Sequence, residues 1–324
     1  MSTSDQNNPK ERILITGAGG FLGSHIAHHF GTLGYPIAAV GRFAAAPEQA
    51  TLYPNLWKLC GMTLPDTAFH NVVRAFQPTL MVHCAGTSSV VDSVSAPYSD
   101  FRRTVEVCAF CLETVRCLAP ACRFVLLSSA SVYGNPLSLP IDESAGMRPV
   151  SPYGYHKMLC ETLAQEYQLL HGIKVAVIRI FSAYGERLNR QVVHDLCAKL
   201  SDPGTNPVVL FGTGEESRDF IHAHDVARAI ECIHGADAAG TFNVASGSET
   251  SVRDLVRTVS GIMPHSKTIE YSGYPRRGDP VHWRASIDRV ASLGYKPSIA
   301  LPEGIARYVA WFLSQHKQGN GDRA

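Results

Sequence analysis

Tyr153 and Lys157 stand four positions apart in SPYGYHK, residues 151–157. On a helix that spacing puts both on one face, while Tyr155 points elsewhere. A phenol titrates near pH ~10, and a neighbouring ammonium favours its phenolate. Such a pair can take up and return a hydroxyl proton. Ser151 and Pro152 suit the start of the helix that would carry it.

A second stretch, ITGAGGFLGSHIAHHF at 15–30, places Gly17, Gly20 and Gly23 between a strand and a helix. Glycines there let the backbone turn tightly and approach a pyrophosphate. Its charge would sit on the helix-start amides of Phe21, Leu22 and Gly23. The spacing is GxxGxxG rather than the commoner GxGxxG. The next strand ends at Val40-Gly41-Arg42, where an NAD site would place an acidic residue on the ribose. Arg42 suits a 2′-phosphate instead, so NADP is expected, with NAD the alternative.

The elements that must position these groups follow from the apolar rhythm. RILIT, PIAAVG, TLMVHCAG, RFVLLSS and KVAVIRIF read as strands separated by helical stretches. Short apolar strands alternating with helices predict an α/β fold, a doubly wound parallel sheet of Rossmann type. After Phe181 the rhythm gives way to Pro- and Gly-rich connections and short strand candidates such as PVVLFG and TFNVAS. A smaller, irregular α/β substrate region is expected over the carboxyl edge of the sheet. The dinucleotide-binding part is assigned to 11–181 and 218–246, and the substrate part to 182–217 and 247–316.

Composition excludes several classes. A net charge of +1 over 324 residues lends no support to a nucleic-acid or anionic-membrane partner. No apolar run would span a bilayer, and residues 1–11 lack a signal-peptide core, so a cytoplasmic protein is expected. The odd count of nine cysteines fits a reduced compartment better than a disulfide framework. The CxxC at Cys108 and Cys111 falls inside FRRTVEVCAFCLETVRCLA, which reads as a single helix, so no metal site is expected.

Taken with FVLLSSASVYG, these motifs resemble the extended short-chain dehydrogenase/reductase family, which includes nucleotide-sugar epimerases, dehydratases and reductases. The resemblance covers nearly the whole chain. It implies a catalytic trio of Ser129, Tyr153 and Lys157; Tyr155 drops out because Leu159 follows it at the lysine position. Tyr153 would accept the hydroxyl proton as hydride leaves the same carbon. Lys157 would also hold the nicotinamide ribose, and Ser129 would hydrogen-bond the reacting oxygen.

The same resemblance extends to the substrate. GTGEESRDFIHAHDVARAI and YPRRGDP are similar to stretches whose arginines hold a diphosphate, implying Arg218 and Arg276, with Arg277 a close rival. Guanidiniums can form forked, charge-assisted bonds to such a group. Asp219, His222 and Asp225 are expected to be structural. Ser88, Ser89 and Ser182 are placed beside the sugar.

Relatives that dehydrate carry an acidic pair after the catalytic hydroxyl, decarboxylating ones a glutamate at the place of Ser131, and 3,5-epimerising reductases a cysteine there. This chain has Ala130 and Ser131. A nucleotide-sugar 4-epimerase is therefore favoured, ahead of an NADPH-dependent 4-keto-6-deoxy nucleotide-sugar reductase. A reductase of a non-nucleotide carbonyl compound and a non-catalytic NADP sensor stand behind these. Thr104, Ser182 and Met62 depart from residues frequent in relatives and suggest an unusual hexose, such as a deoxy sugar for a surface polysaccharide. A homodimer through helices at 101–118 and 153–170 is expected.

Overall fold

The computed structural model describes residues 11–43, 52–264, 267–274 and 281–321. In chain order its strands are β1 (Ile13–Thr16), β2 (Ile37–Gly41), β3 (Leu56–Gly61), β4 (Leu80–His83), β5 (Arg123–Ser129), β6 (Val175–Ile180), β7 (Ser182–Tyr184), β8 (Val208–Leu210), β9 (Ser217–His222), β10 (Gly240–Val244), β11 (Glu249–Ser251) and β12 (Ile269–Tyr271). The helices used below are α1 (Phe21–Thr32), α2 (Ala68–Phe76), α3 (Val90–Ser95), α4 (Pro97–Phe101), α5 (Val107–Leu118), α6 (Pro152–His171), α7 (Gln191–Ser201) and α8 (Ala223–Gly235).

Seven strands form one sheet in the order β10-β6-β5-β4-β1-β2-β3, every neighbouring pair parallel. β1, β4 and β6 are buried at every position, as strands covered on both faces must be. Ile13 and Ile15 point into a core shared with α1 and α8, while Leu14 points into one shared with α2, α5 and α6. From β1 the chain builds outward to β2 and β3, then starts again at β4 on the other side. That reversal opens a crevice at the carboxyl ends of β1 and β4.

Two details differ from the sequence expectation. LWKLCG carries no strand signal, because an edge strand with exposed Trp57 and Lys58 lacks a continuous apolar run, yet it forms β3. The segment 101–119 is not one regular helix: a π-helical turn at Arg102–Glu106 separates α4 from α5. Cys108 and Cys111 are fully buried core residues of α5.

A third core gathers Tyr184, Leu196, Leu200, Phe220, Leu255 and Tyr308, with Phe21 of α1 packed against it. It lies beside a three-stranded sheet, β11-β9-β7, and a two-stranded one, β12-β8. Asp219 stitches this part together: Oδ1 accepts from Ser246 N and Oγ at 2.8 and 2.7 Å, and Oδ2 from Gly247 N and Ala285 N at 3.0 and 3.1 Å. Asp225 accepts from Ser298 N and Ile299 N, both at 3.0 Å, and His222 caps α8.

Between β5, β6 and α6 sits a buried ionic cluster. Arg179 Nη2 and Nε donate to Glu161 Oε2 and Oε1 at 2.7 and 3.1 Å, and Ser128 Oγ donates to Oε1 at 2.5 Å. Arg179 Nη1 continues to Tyr133 Oη at 2.9 Å, whose hydroxyl donates to Asn243 Oδ1 at 2.7 Å.

Two buried histidines set a pH dependence. Burial lowers His25 from 6.5 to about 4 and His83 to about 3; His83 Nδ1 is bonded to Thr16 Oγ1 at 2.9 Å. Each stays neutral in the fold where the unfolded chain binds a proton, so stability falls as pH drops from about 6.5 toward about 4. Asp219, pushed up to about 6 by burial, opposes this over part of the range. Urea unfolding at stepped pH should show a loss of a few kcal/mol, roughly, across that window. A curve that is flat, or unchanged in His83→Gln, would contradict the assignment.

Candidate active site

The glycine loop turns directly after Thr16. Gly17 has φ +69°, and a Cβ there would stand 2.7 Å from Ala85 N, so no other residue fits. Gly20 N–H donates to Gly17 O at 2.9 Å and closes the turn; Ala18 N–H donates to Val40 O at 3.0 Å and ties it to β2. α1 then starts at Phe21 without a side-chain cap or an acid in its first turn. The amides of Phe21, Leu22 and Gly23 thus lack intrahelical partners, and the helix dipole adds positive potential. A pyrophosphate suits this helix start in charge.

Gly19 closes the cradle from the side: its Cβ would meet the Arg42 carbonyl at 1.9 Å. Arg42 itself is exposed, one residue beyond β2. Met62 lies alongside, its N–H bonded to Gly41 O at 3.0 Å.

α6 carries the tyrosine and lysine as the spacing predicts. Ser151 Oγ caps the helix by accepting Gly154 N–H, and Pro152 opens it. Lys157, 8% exposed, donates to Leu127 O of β5 at 2.9 Å, and its ammonium is 5.9 Å from the centre of the Tyr153 ring. Tyr155 is 52% exposed on another face. Gly154 lets the first turn of α6 come down on Ser131, where a Cβ would be 2.6 Å from the carbonyl oxygen.

Ser129 ends β5 beneath this turn. Its Oγ accepts the N–H of Ser131 at 3.2 Å and the Ser131 hydroxyl at 2.9 Å. Both lone pairs are then engaged, so the Ser129 hydrogen is left to donate outward. Gly86, on the loop after β4, borders the Lys157 ammonium. Through Ala85, that loop also borders Gly17, so the glycine cradle and the α6 pair share one floor.

The remaining sequence candidates are spread around this floor. Ser88 is exposed, whereas Ser89 Oγ caps α3 by accepting Asp92 N–H at 3.1 Å. Ser182 opens β7 and pairs in register with Phe220 of β9. Arg218 lies partly buried on β9; its Nη1 donates to Ser217 O at 2.8 Å and its guanidinium stacks 5.6 Å over Trp283. Trp283 Nε1 in turn donates to Gly134 O at 3.0 Å, beside Tyr133. Arg276 and Arg277 lie outside the described residues.

Sequence reasoning passes over Gly19, which borders the Arg42 carbonyl, and Ser93, Asp100 and His156, whose hydrogen bonds run between α6 and the chain that follows β4. The Gly19-Gly20 doublet was a visible signal for the first.

The sequence profile described as the NAD dependent epimerase/dehydratase family matches residues 13–245. A UDP-glucose 4-epimerase of Mycolicibacterium smegmatis is 30% identical, covering 94% of this chain and 99% of the relative. A putative UDP-glucose 4-epimerase of Methanocaldococcus jannaschii is 28% identical with the same two coverages. The crystal structure of a Thermus thermophilus UDP-glucose 4-epimerase in complex with NAD superposes with a TM-score of 0.82 at 25% identity, over 93% of this chain and 99% of that one. With the seven-stranded parallel sheet and the glycine loop at its switch point, the match places this chain in the NAD dependent epimerase/dehydratase family.

Proposed function

We propose that this protein is a nucleotide-diphosphate-sugar 4-epimerase that works with a nicotinamide dinucleotide. The observation that carries the reading is the grouping of Ser129, Tyr153 and Lys157 at the carboxyl end of β5, with Ala130 and Ser131 beside it in place of an acid. A proton acceptor and a hydroxyl donor without a second acid suit removing and returning hydrogen at one carbon; elimination needs more. The names of the relatives support a UDP-sugar.

The bound dinucleotide would supply the hydride acceptor and donor. Tyr153 takes the proton of the sugar C4 hydroxyl and later returns it. Ser129 donates its one outward hydrogen to that same oxygen, and Lys157 stabilises charge on the phenol. The cradle of Gly17, Gly20, Phe21, Leu22 and Gly23 holds the cofactor phosphates. Arg218 and Arg276 hold the substrate diphosphate, with Ser88, Ser89 and Ser182 facing the sugar. In this reading 11–181 with 218–246 binds the dinucleotide, and 182–217 with 247–316 binds the sugar nucleotide.

One feature favours the 4-keto-6-deoxy sugar reductase instead. Arg42 is exposed past β2 and no carboxylate stands at 41–43, which supports NADP, whereas the Thermus thermophilus relative holds NAD. Denaturing the purified protein and identifying the released nicotinamide by mass spectrometry separates the two. Near-stoichiometric cofactor is expected; an empty protein that oxidises NADPH only with a 4-keto nucleotide sugar would make it a reductase.

Two substitutions test the roles. Tyr153→Phe should lower kcat by ~10²-fold or more. Ser131→Ala frees one lone pair of Ser129 and should lower kcat by ~2–10-fold, a single hydrogen bond's worth, with the fold intact. Unchanged kcat in either would remove that residue from the scheme.

A homodimer completes the proposal. Val91, Val94, Tyr98, Tyr155 and Leu159 expose an apolar face over α3, α4 and α6. Sedimentation should return twice the chain mass, and Tyr98→Glu should shift it toward one; a monomeric wild type would overturn the dimer.

A further inference from the structure

A buried carboxylate that the proposed chemistry does not use lies next to the site. Asp100, 3% exposed near the end of α4, has both oxygens engaged. Oδ2 is 2.5 Å from Nδ1 of His156, and Oδ1 is bonded to Thr87 Oγ1. A carboxylate only accepts, so the imidazole N–H and the Thr87 hydroxyl both donate to it. Thr87 has then spent its one hydroxyl hydrogen. The 3.0 Å contact between Thr87 Oγ1 and Thr104 Oγ1 must therefore be donated by Thr104, which in turn accepts Thr87 N–H at 3.3 Å.

Every hydrogen in this four-residue chain thus has one direction, and the chain joins three pieces of the fold. Thr87 belongs to the loop after β4, Thr104 to the π-helical turn, and His156 to α6, immediately before Lys157. Gly86, next to Thr87, is the residue that borders the Lys157 ammonium. A second tie runs in parallel: Ser93 Oγ accepts the backbone N–H of Tyr153 at 3.1 Å. The π turn widens the helix where Thr104 must reach Thr87, as such bulges do at functional sites.

We infer that Asp100, acting through His156 and Thr87, is a positioning residue that holds the 84–95 loop at a fixed spacing from Tyr153 and Lys157. The inference rests on the 4-epimerase reading, in which that spacing sets where the phenol and ammonium meet the sugar and the cofactor. A packed, fully satisfied network of this kind is suited to fixing a single geometry. Loosening it would leave the reacting groups present and misplaced, a fault that costs turnover more than binding.

Asp100→Ala removes both acceptors, and Thr87→Val removes the hydroxyl's bonds to Asp100 and Thr104 while keeping the shape. Hydrogen exchange by mass spectrometry on the as-purified protein should show the 84–95 segment exchanging about tenfold faster in either variant, with β9 unchanged. For a UDP-hexose, kcat should fall by ~10²-fold while KM stays within about threefold. If exchange in 84–95 is unchanged, or if kcat per folded site equals the wild type with only the melting temperature lowered, Asp100 is structural and the inference fails. If wild type turns over no nucleotide sugar, the epimerase reading fails instead, and the exchange comparison still decides the positioning role.

Discussion

The site depends on one buried ion pair. Arg179 and Glu161 are 5% and 7% exposed, and a charge so removed from water is tolerated only with its partner in place. Their two-pronged contact fixes α6 against β6, and the Ser128 bond to the same carboxylate fixes it against β5. Glu161 is one helical turn beyond Lys157, and Ser128 is one residue before Ser129. The pair therefore sets the height of the lysine and tyrosine over the strand end that carries the serine. Tyr133 and Asn243 extend the same constraint to β10, so four elements share one alignment.

From that alignment the rest of the site follows with little freedom. Lys157 falls on Leu127 O, Gly154 falls on Ser131 O, and Ser131 turns back to engage Ser129. The opposite wall is set by backbone clearance. A Cβ on Gly17 would run into Ala85, and one on Gly86 would come to 3.9 Å from the lysine ammonium, so the glycine turn and α6 are spaced through one short loop. The hydrogen bonds of Asp100 and Ser93 attach that loop to α6 from its far side.

Much of this was legible in the residues. Fully apolar four- to six-residue strands announce a covered parallel sheet, a glycine run between strand and helix announces an anion cradle, and a four-residue spacing announces a shared helical face. What escaped had physical reasons. β3 is an edge strand whose exposed Trp57 and Lys58 break the apolar pattern. The π turn carries Thr104 to Thr87, a contact between residues seventeen apart. The bond from Ser131 to Ser129 is a matter of hydrogen direction, which no spacing encodes.

The seam around Trp283 carries a further consequence. It is anchored by Val281 N on Asn135, by Trp283 on Gly134 O, by Arg284 O accepting Ile141 N–H, and by Ala285 N on Asp219. Apart from Trp283 and His282, whose Nδ1 lies 2.9 Å from Ser217 Oγ, the seam is anchored through backbone groups. The side chains of Val281 and Arg284 are thereby relieved of holding the strap. Evolution can therefore exchange these two side chains without unseating the turn that bears Tyr133, and the surface of the strap can change while the alignment beneath it stands still.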